Sequence, residues 1–361
     1  MSVATNARVR SEANIRVTRS KSNVIWAGLG ALVIVVVLAL FPYIVYSSTT
    51  SLMVQGFIVL TMASMWNLLA GYAGLVSVGQ QAFVGLGAYF VLLLNIHNLS
   101  MFTAVPVAAI GCGVAALPLW WLVSRLRSGY FAIGTWVLAA TVFLFIQQFP
   151  SLGGGTGMSL PNVPSGNTPL LLADTYWVGL AVTVAALVAM YLLLRGRTGL
   201  ELTAIRDDER AARSSGVRVG RARLVAFIVA AVFCGAAGGL DAISQYIIQP
   251  SAVFNVQWTA EMAFAVVIGG IGTIEGPILG TIVYMVLQQE LSRYNAWYLI
   301  ILGLVAILIV LFARKGLWGL IEEKFNIRLF PVGYYLWAPG EGRRRHRRHR
   351  ADAQVERPVA G

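Results

Sequence analysis

Charge is what this sequence has least of. Asp, Glu, Lys and Arg make up 12% of its 361 residues, against about 25% in an average globular domain. That scarcity leaves no soluble domain of useful size. With 58% hydrophobic residues and a mean hydropathy of +0.73, it points to an all-α polytopic membrane protein. Acid is the scarcer sign, 15 residues against 27 Lys and Arg. The net charge of +12 does not mean nucleic-acid binding, because the basic residues fall in the termini and in loops that the positive-inside rule assigns to one side. The two cysteines, Cys112 and Cys234, both lie inside apolar runs, so there is no disulfide framework and no zinc spacing. Histidine is almost absent as well: His97 stands in a loop, and His346 and His349 in an arginine-rich tail. No Ser/His/Asp set and no glycine-rich phosphate loop after a strand occurs. These absences exclude hydrolytic chemistry, a metal site, a cofactor and ATP hydrolysis by this chain itself.

What the sequence has in abundance is apolar length. The polar segment 1–23 reads as a cytoplasmic tail, residues 24–313 as the membrane domain, and 314–361 as a second, basic cytoplasmic tail. Helices are expected over about 24–46, 52–70, 74–94, 101–124, 130–149, 175–194 and 224–247, with a tight turn at 71–74. Residues 150–174 are rich in Gly, Pro and Ser and carry no Lys or Arg, so they form an external loop, as does 249–258. Between 260 and 291 lies GGIGTIEGP, whose Gly269, Gly270, Gly272, Gly276 and Pro277 break a helix. Two short helices, about 260–272 and 277–291, with a hinge between them, therefore precede a last helix at 296–312. About ten crossings result, with both termini cytoplasmic. The tail from Gly342 to Arg350 serves topology and attraction to anionic membrane lipid, at ~1 kcal/mol per basic residue.

One stretch interrupts the apolar sequence. Residues 195–223 hold eight Arg and four acidic residues, Glu201, Asp207, Asp208 and Glu209, and cannot sit in hydrocarbon. Its middle is patterned as one helix: Ala204, Asp208, Ala211 and Ala212 recur at helical spacing, Arg206 and Arg210 stand four apart, and Gly216 supplies the stop.

Inside the membrane domain, the glycines near residue 80 (Gly74, Gly79, Gly85, Gly87) permit close helix approach. Asn67, Ser77, Gln80, Gln81 and Thr135 are polar in apolar surroundings and are candidates to line a translocation path. For Thr135 the alternative is a hydrogen bond back to its own helix. Asp241 and Glu261 fall near outer helix boundaries and are expected to be interfacial. Gly153 to Gly157 read as an ordinary mobile loop.

Four separate stretches carry a resemblance: WNLLAGYAGLVSVGQQAFVGLGAY (66–89), SGYFAIGTWVLA (128–139), TGLELTAIRDDERAARSSGV (198–217) and VIGGIGTIEGPILG (267–280), with ARKGLWGL closing at 320. In this order and separation they resemble the M-type permease subunits of branched-chain amino acid ABC importers, over roughly residues 52–320. Gln81 stands where that family more often has a small residue. The resemblance implies a type II ABC importer permease fold in a prokaryotic plasma membrane and transport by alternating access. It implies as partners a homologous second permease subunit, two cytoplasmic ATPase subunits that bind the ATP, and an extracytoplasmic substrate-binding protein. The charged loop would then be the ATPase-coupling helix, with Ala204, Ala211 and Ala212 as its small docking face and Arg206, Asp207, Asp208, Glu209 and Arg210 as its polar rim. Two other readings stay open: a urea or short-amide permease of the same family, and a stand-alone ion-coupled secondary transporter, which calls for ionisable residues deep in the helices.

Overall fold

The computed structural model describes residues 16–18, 21–43, 46–126, 129–164, 168–291, 297–312, 316–325 and 335–337. The expected tail segments 1–15 and 342–350, with Arg314 and Lys315, lie outside them. The chain divides into two units. In the smaller (residues 1–29 and 331–361), two three-residue strands, Arg16–Thr18 and Tyr335–Trp337, pair antiparallel with Val17 opposite Leu336.

The larger unit, residues 30–330, is helical and holds the membrane domain. The helices in chain order are α1 (Lys21–Leu40), α2 (Ser47–Asn67), α3 (Gln81–Ile96), α4 (Met101–Val123), α5 (Gly129–Gln147), α6 (Thr168–Arg195), α7 (Arg197–Asp207), α8 (Glu209–Ser214), α9 (Val219–Gln245), α10 (Pro250–Val253), α11 (Gln257–Gly269), α12 (Glu275–Leu291), α13 (Trp297–Phe312) and α14 (Gly316–Phe325). Among the described residues, six helical stretches are long and apolar enough to cross a membrane: Ser47–Tyr72, Met101–Val123, Gly129–Gln147, Leu170–Arg195, Val219–Gln245 and Pro250–Gly269. Three shorter apolar helices accompany them, Leu32–Tyr43, Gln81–Ile96 and Ile300–Ile309. Helices suit this role because each satisfies its own backbone groups where no water can. Large apolar side chains on the outer faces of α4 and α5, such as Ile110, Val114, Ile133 and Leu144, are exposed in the single chain, as lipid contact requires.

The core forms around α9, which packs on α2, α3, α4 and α6. Small residues allow this. A Cβ on Gly238 would lie 1.9 Å from the Val84 carbonyl oxygen, and one on Gly87 would lie 2.0 Å from that of Gly235. The α3–α9 crossing thus brings backbone against backbone, the packing expected of helices in lipid.

Two expectations need correction, and two expected external stretches hold structure of their own. The helix expected from residue 74 starts only at Gln81, because α2 runs on through a wider π-helical turn, Leu68–Tyr72, and the chain then travels irregularly to residue 80. The expected external stretch 249–258 holds α10, and Phe254 packs between Tyr89 and Phe143. The break in 260–291 is present but shifted, with α11 ending at Gly269 and α12 beginning at Glu275. Gly276 and Pro277 therefore belong to the first turn of α12, where a proline removes no intrahelical bond. Finally, the chain just after Gly153–Gly157 is paired. Met158–Ser159 pair antiparallel with Ile247–Ile248, and Asn162 donates from Nδ2 to the Asn95 carbonyl at 2.7 Å.

Candidate functional site

The charged loop folds as two helices rather than one. Asp208 is the reason: its backbone is extended (φ −153°, ψ 108°), and its Oδ1 accepts from the N–H groups of Arg210 (2.8 Å) and Ala211 (3.1 Å). An Asp that caps a new helix cannot also sit inside the preceding one, so α7 ends and α8 begins there. The Arg206–Arg210 spacing spans this break and does not form one helical face. Gly216 does end α8, at φ +86°, with Val217 N–H bonding to Ala212 O and Gly216 N–H to Arg213 O, a Schellman closure. Glu209 accepts from Arg213 at 2.7 Å and from Arg223 at 2.9 Å, which ties α8 to the start of α9. Ala204, Asp207, Asp208, Arg210 and Ala211 are exposed. Ala212 is buried inside the chain and cannot belong to a docking face.

Arg206 also departs from its expected place on the rim. Its guanidinium donates Nη1 to the Gly71 carbonyl at 2.9 Å while Nε and Nη2 hold Asp207 Oδ1. It thereby connects the loop to the π-helical turn at the end of α2. Next to this contact, Asn67 Nδ2 donates to the Thr273 carbonyl at 2.7 Å and Asn67 Oδ1 accepts the Gly272 N–H at 2.8 Å. Positive φ at Gly270 (131°) and Gly272 (82°) turns the backbone toward Asn67. A Cβ on Gly71 would fall 2.3 Å from Asn67 Oδ1, so that glycine is what lets the two breaks touch. Asn67, fully buried, is therefore a latch between two broken helices.

The segment leading into α3 carries the other polar residues singled out. Ser77 Oγ accepts the Gly79 N–H at 3.3 Å, and the Ser77 carbonyl accepts Trp66 Nε1–H at 2.9 Å. Thr135 Oγ1 donates back to Ala132 O at 2.9 Å and accepts the Val78 N–H at 3.1 Å. Both roles are structural, and for Thr135 the back-bonding alternative is the one realised. Gln81 Oε1 accepts from Thr259 Oγ1, joining α3 to α11. Gln80 is different. It is 1% exposed, and neither its Nε2 nor its Oε1 has a partner among the described residues.

At the opposite end of the bundle from α7 and α8 lies a cavity of about 420 Å³. Its walls include Gln55 of α2, Asp241 and Gln245 of α9, Trp258 and Glu261 of α11, and Gln288 of α12. Glu261 is 7% exposed, accepts Gln257 Nε2–H at 2.9 Å, and has the Tyr284 hydroxyl beside it. It is buried, contrary to the interfacial position expected. Among the described residues, the Asp241 side chain makes no hydrogen bond or ion pair and no basic residue lines the cavity.

A protein family described as "Branched-chain amino acid transport system / permease component" matches residues 48–310. The chain belongs to that family. It is 28% identical over 329 residues to the high-affinity branched-chain amino acid transport system permease protein LivM of Escherichia coli (strain K12), covering 82% of this chain and 76% of the relative. The protein of the same description from Salmonella typhimurium is 27% identical over 322 residues, with the same coverage. A probable branched-chain amino acid transport permease protein LivM of Methanocaldococcus jannaschii is 24% identical over 221 residues, 56% of this chain and 62% of the relative. No solved structure matches significantly.

The chain is thus a permease component of a transport system and an integral, multi-pass membrane protein. Family membership and geometry sort its polar residues into three sets. The first is an exposed loop end with Ala204, Asp207, Asp208, Arg210 and Ala211. The second is a hydrogen-bonded latch of Asn67, Arg206, Gly71, Gly272 and Thr273. The third comprises the start of α3 and the cavity at the far end. Sequence reasoning missed Thr259 and Thr273, and it named the cavity carboxylates Asp241 and Glu261 only as interfacial residues. Glu261 left a signal, since it lies within an apolar helix and an acid there is expensive unless it has a function. Thr259 and Thr273 left none, because their partners lie 178 and 206 residues away in sequence.

Proposed function

We propose that this permease is one of two membrane subunits of an ATP-driven importer for branched-chain amino acids. In this reading α1 to α6, α9, α11, α12 and α13 are its ten crossings and both termini face the cytoplasm. The loop of α7 and α8 then lies on the cytoplasmic side, docks on an ATPase subunit and moves with it. An external binding protein delivers the amino acid to the cavity walled by Trp258 and Glu261. The ATP is bound and hydrolysed by the partner ATPases, and the chain itself carries out no covalent chemistry. The observation that carries the reading is the family match over 48–310. The loop supports it, because it ends in a short helix stapled by Glu209 to α9 yet offering Arg210 and Ala211 to solvent. Rigid, outward-facing and anchored through Arg206 to the broken end of α2, it is built to transmit a push.

Two measurements test this. Liposomes holding this chain alone should show no ATPase activity and no uptake, and leucine uptake should appear once the second permease, the ATPases and the binding protein are added. Accumulation driven by an ion gradient in this chain alone would establish a secondary transporter instead, and uptake of urea in place of leucine an amide permease. Separately, Ala211→Glu should abolish co-purification of the ATPase while the protein still inserts in the membrane. An unpaired carboxylate desolvated at the docking face costs several kcal/mol, which is roughly a thousandfold in affinity. Arg210→Ala should weaken it far less, since exposed ion pairs contribute at most ~1 kcal/mol. Full ATPase retention by Ala211→Glu would mean that α8 does not dock.

A further inference from the structure

We propose that the interrupted start of α3, at Gln80 and Gln81, is an internal binding site for the carboxylate of a zwitterionic amino acid on its way through the membrane. The inference rests on the amino-acid importer reading above and names the group within it that the chain grips.

Four observations meet at this point. First, α3 is a 16-residue helix that begins inside the bundle, after the irregular stretch 73–80, so its positive end is buried instead of lying in water. The backbone N–H groups of Gln80 and Gln81 have no acceptor among the described residues. Second, the Gln80 carboxamide is 1% exposed and unpartnered at both ends. A buried amide with no protein partner costs free energy until something bonds it, so this one is available to a group that arrives during function. Third, the site is held in shape. Thr259 bonds the neighbouring Gln81, while Ser77 and Thr135 bind the N–H groups of Gly79 and Val78, so the free donors point from a fixed backbone. Fourth, through Thr259, the partner of Gln81, it is joined to a helix that walls the cavity. Thr259 lies in α11 between Trp258 and Glu261, both cavity-wall residues. On α12, Thr281 lies two turns inward from the wall residue Gln288, and its hydroxyl is also buried and unpartnered.

The chemistry selects the ligand. A buried helix N-terminus with free N–H groups favours a carboxylate, and Gln80 Nε2 adds a side-chain donor. Gln80 Oε1 is left to accept from a neighbouring ammonium group. Asp241 and Glu261 in the cavity repel a plain anion and attract that ammonium group, so a carboxylate passes only when it carries its own positive charge. The site therefore fits a zwitterion better than a neutral amide, an amine or a simple organic acid.

The test uses the assembled transporter in proteoliposomes together with the purified chain. Gln80→Leu should lower leucine uptake by about tenfold or more, the expected loss of a hydrogen bond to a charged group. Its melting temperature should not fall, since an apolar residue of similar size replaces an orphaned polar one. Unchanged uptake by a properly inserted Gln80→Leu overturns the proposal. Should that variant fail to fold, the unmodified chain decides. Leucine should raise its melting temperature, whereas leucinol (no carboxylate) and 4-methylpentanoate (no ammonium) should not. An equal shift with leucinol, or none with leucine, also overturns it. Urea uptake without leucine uptake by the unmodified transporter would sink the importer reading itself. Equal leucine uptake with and without Gln80 removes this site alone.

Discussion

The chain breaks its helices in two places, and the two breaks are finished in opposite ways. At the loop-bearing end, the turn 270–274 between α11 and α12 meets the π-helical end of α2, and the groups there are answered: Asn67 by Gly272 and Thr273, Gly71 by Arg206. At the start of α3, midway through the bundle, Gln80 is answered by nothing among the described residues. Asn67 and Gln80 are both buried, and glycine lets the backbone through at both breaks. The difference teaches what each is for. A fully bonded break in low dielectric is a rigid joint, because opening it leaves several unpaired groups at once. An unbonded one keeps donors and an acceptor free, which is what the proposed carboxylate site uses.

The comparison can be broken from either side, and the joint should yield the largest effects. Gly269→Leu puts a Cβ 1.8 Å from the Gly276 carbonyl oxygen, backbone against backbone. No side-chain rearrangement relieves that clash, so detergent extracts should contain no monodisperse protein by size-exclusion chromatography; a normal peak would mean the α11–α12 joint is pliable. Next is Asn67→Ala, which strands the Gly272 N–H and the Thr273 carbonyl. Each unsatisfied buried group costs about 1–3 kcal/mol, so thermal unfolding in detergent should show a loss of roughly 3 kcal/mol, and a loss below about 1 kcal/mol would remove the latch.

Arg206→Ala should have a smaller effect on stability, about 1 kcal/mol, because its side chain is 39% exposed. Its signature is a split: ATP hydrolysis by the assembled transporter continues while uptake falls, since the loop has lost its grip on Gly71. Parallel loss of both activities would make Arg206 merely structural. Smallest is Thr281→Val, on the unanswered side. It removes a buried hydroxyl without a partner, so stability should stay level or rise by less than about 1 kcal/mol. A clear destabilisation there would show that the two regions do not differ as argued.

Much of this was legible from composition and spacing. The apolar runs around 47–72, 101–123 and 219–245 are long enough to be read without any partner, because a helix in lipid satisfies its backbone alone. The break at Gly269–Gly272 was legible too, since glycine and proline act locally, although its edges moved by several residues. The loop's charge was plain. Its division at Asp208 was not, because a capping aspartate and a mid-helix aspartate look alike until the backbone commits.

The sequence by itself determined the class: a multi-pass helical chain with an exposed charged loop and too little charge for anything else. Helix length, glycine breaks and scarcity of charge each act within about 20 residues. What each polar side chain does was decided only in three dimensions. Asn67, Ser77, Gln80, Gln81 and Thr135 look equivalent in sequence, yet three are spent on the chain's own backbone, one on Thr259, and only Gln80 is left open. The reason is physical: a buried polar group is defined by its partner, and the partners of Asn67 and Gln81 come from segments 178 or more residues away.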